Sequence, residues 1–277
     1  MRYLSNFIRV EYINIMFTYS ISVLAMFKNE SSMIKEWIDH YLAEGVEHFY
    51  LIDNSSTDDT TDKISRYSTY LTLIKDARSM TTGTQTFLFN HLYLNKIKNE
   101  TEWLIICDID EYIYARNRCV QIMDVLKKLP PNVEKIWIPW KCFGSNGYIT
   151  EPKDIIQSFT KRSAHISATM EHGKVICRTQ NLIGILSAGS MVELNHNNVY
   201  YLCNGQRLDQ CKSDDKVFHA LNLHLNHYML MSEFYNMDEN WVSNMNETCN
   251  AVEDTELAHK TYTLNKQLPK IRYDSLV

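Results

Sequence analysis

The chain is short of the residues that unsettle a fold, with 8 glycines and 5 prolines among 277 residues. That excludes collagen-like and linker-rich architectures. It lacks a basic excess: 28 Lys and Arg face 33 Asp and Glu, for a formal charge of −5, so bulk charge gives no attraction to nucleic acid. No apolar run reaches the roughly 20 residues a membrane-spanning helix needs. Arg2, Arg9 and Glu11 interrupt the first apolar stretch, and no signal peptide or anchor is evident. Seven cysteines (Cys107, Cys119, Cys142, Cys177, Cys203, Cys211, Cys249) form no C-x-x-C pair and are odd in number. Neither a zinc ribbon nor a full disulfide framework follows, and reduced thiols are expected. There is no G-x-x-x-x-G-K-[ST] loop, which removes P-loop nucleotide hydrolysis. No repeat or low-complexity segment occurs.

What is present is an apolar run that stops on acids: Trp103-Leu104-Ile105-Ile106-Cys107-Asp108-Ile109-Asp110-Glu111-Tyr112. A short unbroken apolar run predicts a strand buried on both faces, with the acids at its carboxyl end, the rim where open α/β sheets bind ligands. Hard oxygen donors at this spacing suit Mg2+ or Mn2+ shared with a substrate phosphate. The plainer alternative is that one acid caps a helix and the other is solvated.

Before this run the chain alternates strand and helix. Ser20–Met26 predicts a strand, then a helix opened by Ser31 or Ser32 with Ile34, Trp37, Ile38, Tyr41 and Leu42 on one face and Gly45 as its stop. His48–Ile52 predicts a second strand ending in the loop Asp53-Asn54-Ser55-Ser56-Thr57-Asp58, Leu71–Lys75 a third, and Gln85–Lys98 a long helix. This order predicts an α/β fold with a mostly parallel sheet flanked by helices. Beyond Glu111 we expect a helix near Cys119–Leu129, strands at Lys135–Trp140 and Lys174–Arg178, a poorly patterned stretch to about Asp215, and helices in Ser232–Met245 and Glu253–Gln267.

Three blocks together resemble glycosyltransferases of the GT-A fold, of the family 2 and family 92 type. They are Phe27-Lys28-Asn29-Glu30 with Glu36-Trp37-Ile38, the Asp53–Asp58 loop, and Asp108-Ile109-Asp110-Glu111-Tyr112. Phe143-Gly144-Ser145-Asn146-Gly147, Lys174 ahead of Arg178, and Asn226-His227-Tyr228 before Ser232-Glu233-Phe234 resemble later blocks of that group. The resemblance covers roughly residues 20–240. It implies a Rossmann-like sheet with an α-rich C-terminal part, and divides the chain into an extension (1–18), one catalytic domain (19–245) and a helical tail (246–277). Within that domain, 19–115 would bind the nucleotide sugar and 116–245 the acceptor.

It further implies transfer of a hexose from a nucleoside-diphosphate sugar, UDP-sugar favoured, to a hydroxyl of a glycan or glycoprotein, with Mn2+ or Mg2+ and with inversion. Asp53 would accept a hydrogen bond from the donor's base; its alternative is a turn former. Asn29 and Glu30 would line the same pocket, although Glu30 also suits a helix start. Asp108 would contact donor and metal, Asp110 would be the more direct metal ligand, and His227 a third ligand or a structural histidine. The base that takes the acceptor proton has as candidates Glu193, Asp209, Asp214 and Asp215, the last two reading equally as an exposed helix start. Ser187-Ala188-Gly189-Ser190 stands where related sequences often carry a histidine.

Two other readings compete. A haloacid-dehalogenase-like phosphotransferase also opens with an Asp-x-Asp strand end, but it begins its fold there, whereas about a hundred residues precede it here. A non-catalytic sugar-nucleotide or glycan binder on a degenerate fold would keep the acids and lack the base. Sequons at Asn29, Asn54, Asn99 and Asn246 include two in the expected active-site loops, where a glycan would obstruct the site, so a cytoplasmic location is expected.

Overall fold

The computed structural model describes residues 16–116, 120–166, 172–187, 189–196, 199–210, 215–229 and 248–260. The strands are β1 (Tyr19–Phe27), β2 (His48–Asp53), β3 (Leu71–Lys75), β4 (Thr101–Ile106), β5 (Glu111–Ala115), β6 (Lys135–Cys142), β7 (Lys161–Arg162), β8 (Gly173–Arg178), β9 (Leu182–Ser187), β10 (Met191–Leu194), β11 (Leu223–His227) and β12 (Val252–Glu253). The helices are α1 (Ile34–Ala43), α2 (Thr60–Ile64), α3 (Thr84–Leu88), α4 (Leu94–Glu100), α5 (Ile122–Leu126), α6 (Ile155–Ser158) and α7 (Asp215–His219).

Eight strands form one mixed sheet in the order β3-β2-β1-β4-β8-β6-β11-β5. The first four are parallel, as the alternating pattern predicts, and β6 and β11 add a fourth parallel pair. Every residue of β2, and Trp103 to Ile106 of β4, is buried because helices or loops cover both faces. The first half of β6 pairs with β8 while Trp140–Cys142 pairs with β11. Residues 107–110 alone link β4 to β5. That link reaches about 17 Å at full stretch, whereas four flat strand spacings come to about 19 Å, so the sheet must curl to bring its last strands back towards β4.

Helix α1 buries Ile34, Trp37, Ile38 and Tyr41, the face its spacing predicts, and Gly45 ends it at φ +88°. Its start is a correction. The first turn is anchored by Met33 N and Ile34 N on the Glu30 carbonyl, while the Ser31 hydroxyl donates to Asp59. The expected long helix Gln85–Lys98 is interrupted by a π-helical turn over Phe89–Tyr93. Asn90 lies in that wider turn, and its amide pairs with both backbone groups of Ile185 in β9. The helix expected near Cys119–Leu129 shrinks to α5, where the Asp124 carboxylate accepts from Val120 N and Gln121 N. Strand β5 and the β9–β10 hairpin arise where no regular element is expected.

An α-rich C-terminal part is not what the described residues show. They hold helical residues at 256–260, tied to the sheet by Lys141, which contacts Asp254 at 3.0 Å and Glu256 at 3.4 Å. Residues 1–15, Cys119, Asp214, Ser232–Met245 and residues 261–267, for which the sequence raises expectations, lie outside the described residues. No described helix is long and apolar enough to cross a membrane.

Candidate active site

The topology gathers chemistry at one edge. The carboxyl ends of β1, β2, β4 and β11 lie there, together with the amino ends of the antiparallel β5 and β8. A cavity of ≈ 640 Å³ opens at this edge, lined by Glu30, Gln85, Asp108, Asp110, Lys174 and His227 among others. A second cavity of ≈ 630 Å³ runs along α1 between residues such as Lys35, Asp39 and Lys63, and holds none of the residues expected in the site.

The two Asp-x-Asp carboxylates have different partners. Asp108 accepts from Lys174 Nζ at 2.6 Å through one oxygen and from Gln85 Nε2 at 2.9 Å through the other. Asp110 Oδ2 lies 3.1 Å from His227 Nε2. Glu111 is wholly buried; one oxygen accepts from Asp108 N at 2.8 Å and lies 3.3 Å from Lys174 Nζ, while its Oε1 is buried without a partner. The Trp140 ring stands 4.3 Å from the His227 ring and 6.0 Å from Lys174 Nζ.

These contacts set the charges. Burial alone would depress the His227 imidazole, but Asp110 beside it outweighs burial and holds it well above its ordinary value. Burial would raise the Asp110 carboxyl; His227, then Lys174, outweigh it and hold it below the usual carboxylate range. The Lys174 ammonium would likewise be depressed by burial, and Glu111 and Asp108 reverse the shift, keeping it charged. Glu30 is different. Burial, then Asp110, Asp58 and Asp108, push its carboxyl up to about 7, and its Oε2 is buried with no partner.

A divalent ion fits part of this set. Asp110 Oδ2 and His227 Nε2, 3.1 Å apart, have the spacing of adjacent ligands on an octahedral ion with bonds of about 2.1 Å, and an ion bound there would displace the proton that Asp110 now holds on the imidazole. Both Asp108 oxygens are already engaged. Among the described residues no three His, Cys, Asp or Glu side chains are grouped to hold an ion by themselves, so its remaining ligands would be water and substrate phosphate, the usual habit of Mg2+.

Asn29, at φ +58°, accepts from Thr57 N at 2.7 Å, and Asp53 is buried, accepts from Ser56 N at 2.8 Å and lies 4.0 Å from Lys75. Both shape the 53–57 loop; neither lines the cavity, although Asn54 and Glu30 do. Three of the four expected bases lie away from the cavity. Glu193 is exposed on β10 opposite Gly184. Asp209 pairs with Arg207 at 2.6 Å, and Asp215 starts α7 with His165 at 2.7 Å and Ile166 N at 3.1 Å. None of the three lines the cavity. Asp209 and Asp215 thus serve a turn and a helix start among polar neighbours on the surface. Gln85 carries no mark of a site residue in the sequence, whereas Trp140, one of the second-half aromatics able to stack on a sugar ring or to fill the core, does line the cavity. The signal for Lys174, a lysine opening the apolar strand Val-Ile-Cys, was present in the sequence.

A glycosyltransferase family 92 protein of Oryza sativa subsp. japonica is 25% identical over 166 residues, covering 57% of this chain and 27% of the relative. Another, from Arabidopsis thaliana, is 24% identical over 188 residues, covering 64% and 31%. The chain spans less than a third of the length of these relatives. Among solved structures, S. aureus TarS 1–349 in complex with UDP-GlcNAc matches at 19% identity and TM-score 0.38, covering 58% of this chain and 45% of that one. Mannosyltransferase PcManGT from Pyrobaculum calidifontis, in complex with GDP-Man and Mn2+, matches at 18% identity and TM-score 0.30, covering 47% and 37%. The description Glycosyltransferase family 92 matches residues 16–267, nearly the whole sequence. The chain therefore belongs to glycosyltransferase family 92.

Proposed function

We propose that this chain transfers a hexose from a nucleoside-diphosphate sugar, UDP-sugar favoured, to a hydroxyl of a glycan or glycoprotein, in a metal-dependent and inverting reaction. The observation that carries the reading is the convergence of Asp108, Asp110, Lys174 and His227 on one cavity at the carboxyl edge of the sheet. Family membership supports it and displaces the phosphotransferase alternative.

Breaking the anomeric carbon–oxygen bond puts negative charge on the departing diphosphate, and fixed positive charge at that spot lowers the barrier. Asp110 and His227 are the residues that would hold Mn2+ or Mg2+, which would supply Lewis-acid stabilisation of that leaving group. Lys174 is already charged and fixed beside them. Glu30 and Asn54 line the side of the cavity formed by β1 and β2 and would meet the nucleoside, with Asn29 and Asp53 shaping the loop between them. The acceptor hydroxyl would approach the anomeric carbon from the face opposite the diphosphate.

The test is donor hydrolysis by the purified protein with Mn2+ and a panel of nucleotide sugars. Slow release of nucleoside diphosphate that is lost on chelation and in Asp110→Ala supports the reading. Equal release by Asp110→Ala overturns it, and metal-dependent donor binding without turnover on any acceptor identifies a sugar-nucleotide binder.

A further inference from the structure

Lys174 is the one charged side chain of β8 that enters the cavity, and its placement is built in. Gly173 precedes it with the backbone drawn so tightly onto β6 that a Cβ there would lie 2.6 Å from the Ile138 carbonyl oxygen. Because β8 runs against β4, the lysine meets the acid turn head-on. Its side chain is 3% exposed, yet it lines the cavity. Two carboxylates hold it, Asp108 at 2.6 Å and Glu111 at 3.3 Å, and Glu111 is itself fixed by Asp108 N. A lysine this buried is costly unless its charge is matched, and acids on two sides of the ammonium, at 2.6 and 3.3 Å, leave it a single place to sit. Such an arrangement fixes the position of Nζ.

A nucleoside diphosphate carries more negative charge than one divalent ion cancels, and Asp108 has both oxygens committed to protein donors. We propose that Lys174 is a resident positive charge for the donor's diphosphate, that Asp108 and Glu111 are its positioning residues, and that a divalent ion is held by Asp110 without direct help from Asp108. This rests on the sugar-transfer reading and assigns the first acid of the motif to a lysine in place of a metal.

The test is calorimetric titration of the full chain with UDP and GDP, each against its own nucleoside, in Mn2+ and then in EDTA. In EDTA the wild type still binds one diphosphate about tenfold or more tighter than its nucleoside, as a charged hydrogen bond implies. Lys174→Met removes most of that preference and leaves nucleoside binding unchanged. Lys174→Met paired with Glu111→Gln avoids stranding a buried acid, so the comparison holds where the single variant does not fold. Mn2+ affinity, read by electron paramagnetic resonance without nucleotide, stays within about threefold in Asp108→Asn and falls about tenfold or more in Asp110→Asn. Equal preference in wild type and both lysine variants, or equal loss of Mn2+ from the two Asp variants, overturns the proposal alone. Failure of the wild type to bind either diphosphate in Mn2+ overturns the sugar-transfer reading and this proposal with it.

Discussion

The indole of Trp37 donates to two carbonyls at once, those of Asp108 and Glu111, each at 3.1 Å. Helix α1 thus holds the acid turn by its backbone from below, and Tyr41 adds a second bond to the Glu111 carbonyl at 3.0 Å. Trp37→Phe keeps a ring and removes one of two donors from each carbonyl, Asp108 O keeping Glu111 N at 3.3 Å and Glu111 O keeping the Tyr41 hydroxyl. We expect a loss of about 0.5–1.5 kcal/mol in urea unfolding, together with weaker donor binding. Unchanged donor affinity in a destabilised Trp37→Phe would mean that the clamp serves the fold alone.

The turn before β10 presses on the acid strand from the other side. Gly189 sits at φ +87°, where a Cβ would lie 2.6 Å from the Ile106 carbonyl oxygen, two residues before Asp108. Gly189→Ala combines a left-handed backbone penalty with displacement of the end of β4. The expected cost is about 2–4 kcal/mol, measured by the thermal or urea midpoint. A cost under about 1 kcal/mol would show that the turn relaxes freely.

Glu36 accepts from Ile155 N at 2.7 Å and Ile156 N at 3.1 Å, joining α1 to α6. Burial pushes its carboxyl up to about 7, against the lowering effect of those two donors. Between its ordinary value and about 7 the folded chain holds a proton that the unfolded chain has released. Its stabilising contribution is therefore complete at acid pH and is lost as pH rises through that window. Glu36→Gln has no proton to lose. The difference in urea midpoint between wild type and Glu36→Gln should move in the variant's favour from about pH 5 to about pH 8, and a pH-independent difference contradicts the assignment.

Asn90 links the π-helical turn to β9 through both backbone groups of Ile185, at 2.8 and 2.9 Å. Asn90→Ala leaves a donor and an acceptor unpaired and should cost about 1–3 kcal/mol. Hydrogen exchange at Ile185 N should quicken more than at Val23 in the centre of the sheet. Equal changes at both would indicate a global loss in place of a local one.

Much of the first half of the fold was legible in the sequence. The strands at 19–27, 48–53, 71–75 and 101–106 are apolar runs closed by polar turns, and α1 carries its buried stripe at helical spacing. The second half was less so for physical reasons. Strand β5 follows β4 after only four residues and is buried throughout, so Glu111-Tyr112-Ile113-Tyr114-Ala115 shows no alternation. The β9–β10 hairpin is half exposed and irregular in register, and its apolar residues carry no clean period. The Asp-x-Asp rim and His227 could be found because neighbouring residues in sequence mark them. The unequal engagement of the two acids could not, since Lys174 is 66 residues away and meets Asp108 only through the order of strands. The placement of Glu193, Asp209 and Asp215 away from the cavity was illegible for a related reason: isolated acids in polar stretches carry no sign of which way the chain will turn them.

The main chain around the acids is sewn into the sheet from both sides. Cys107 N bonds the Leu24 carbonyl at 3.3 Å, Tyr228 N bonds the Asp110 carbonyl at 2.9 Å, and β5 is laddered along its length to β11. Peptide groups keep these links whatever side chain they carry. The rim is thus a chassis whose peptide groups keep their places while the partly exposed side chains of Asp108 and Asp110 are varied, without rebuilding of the scaffold.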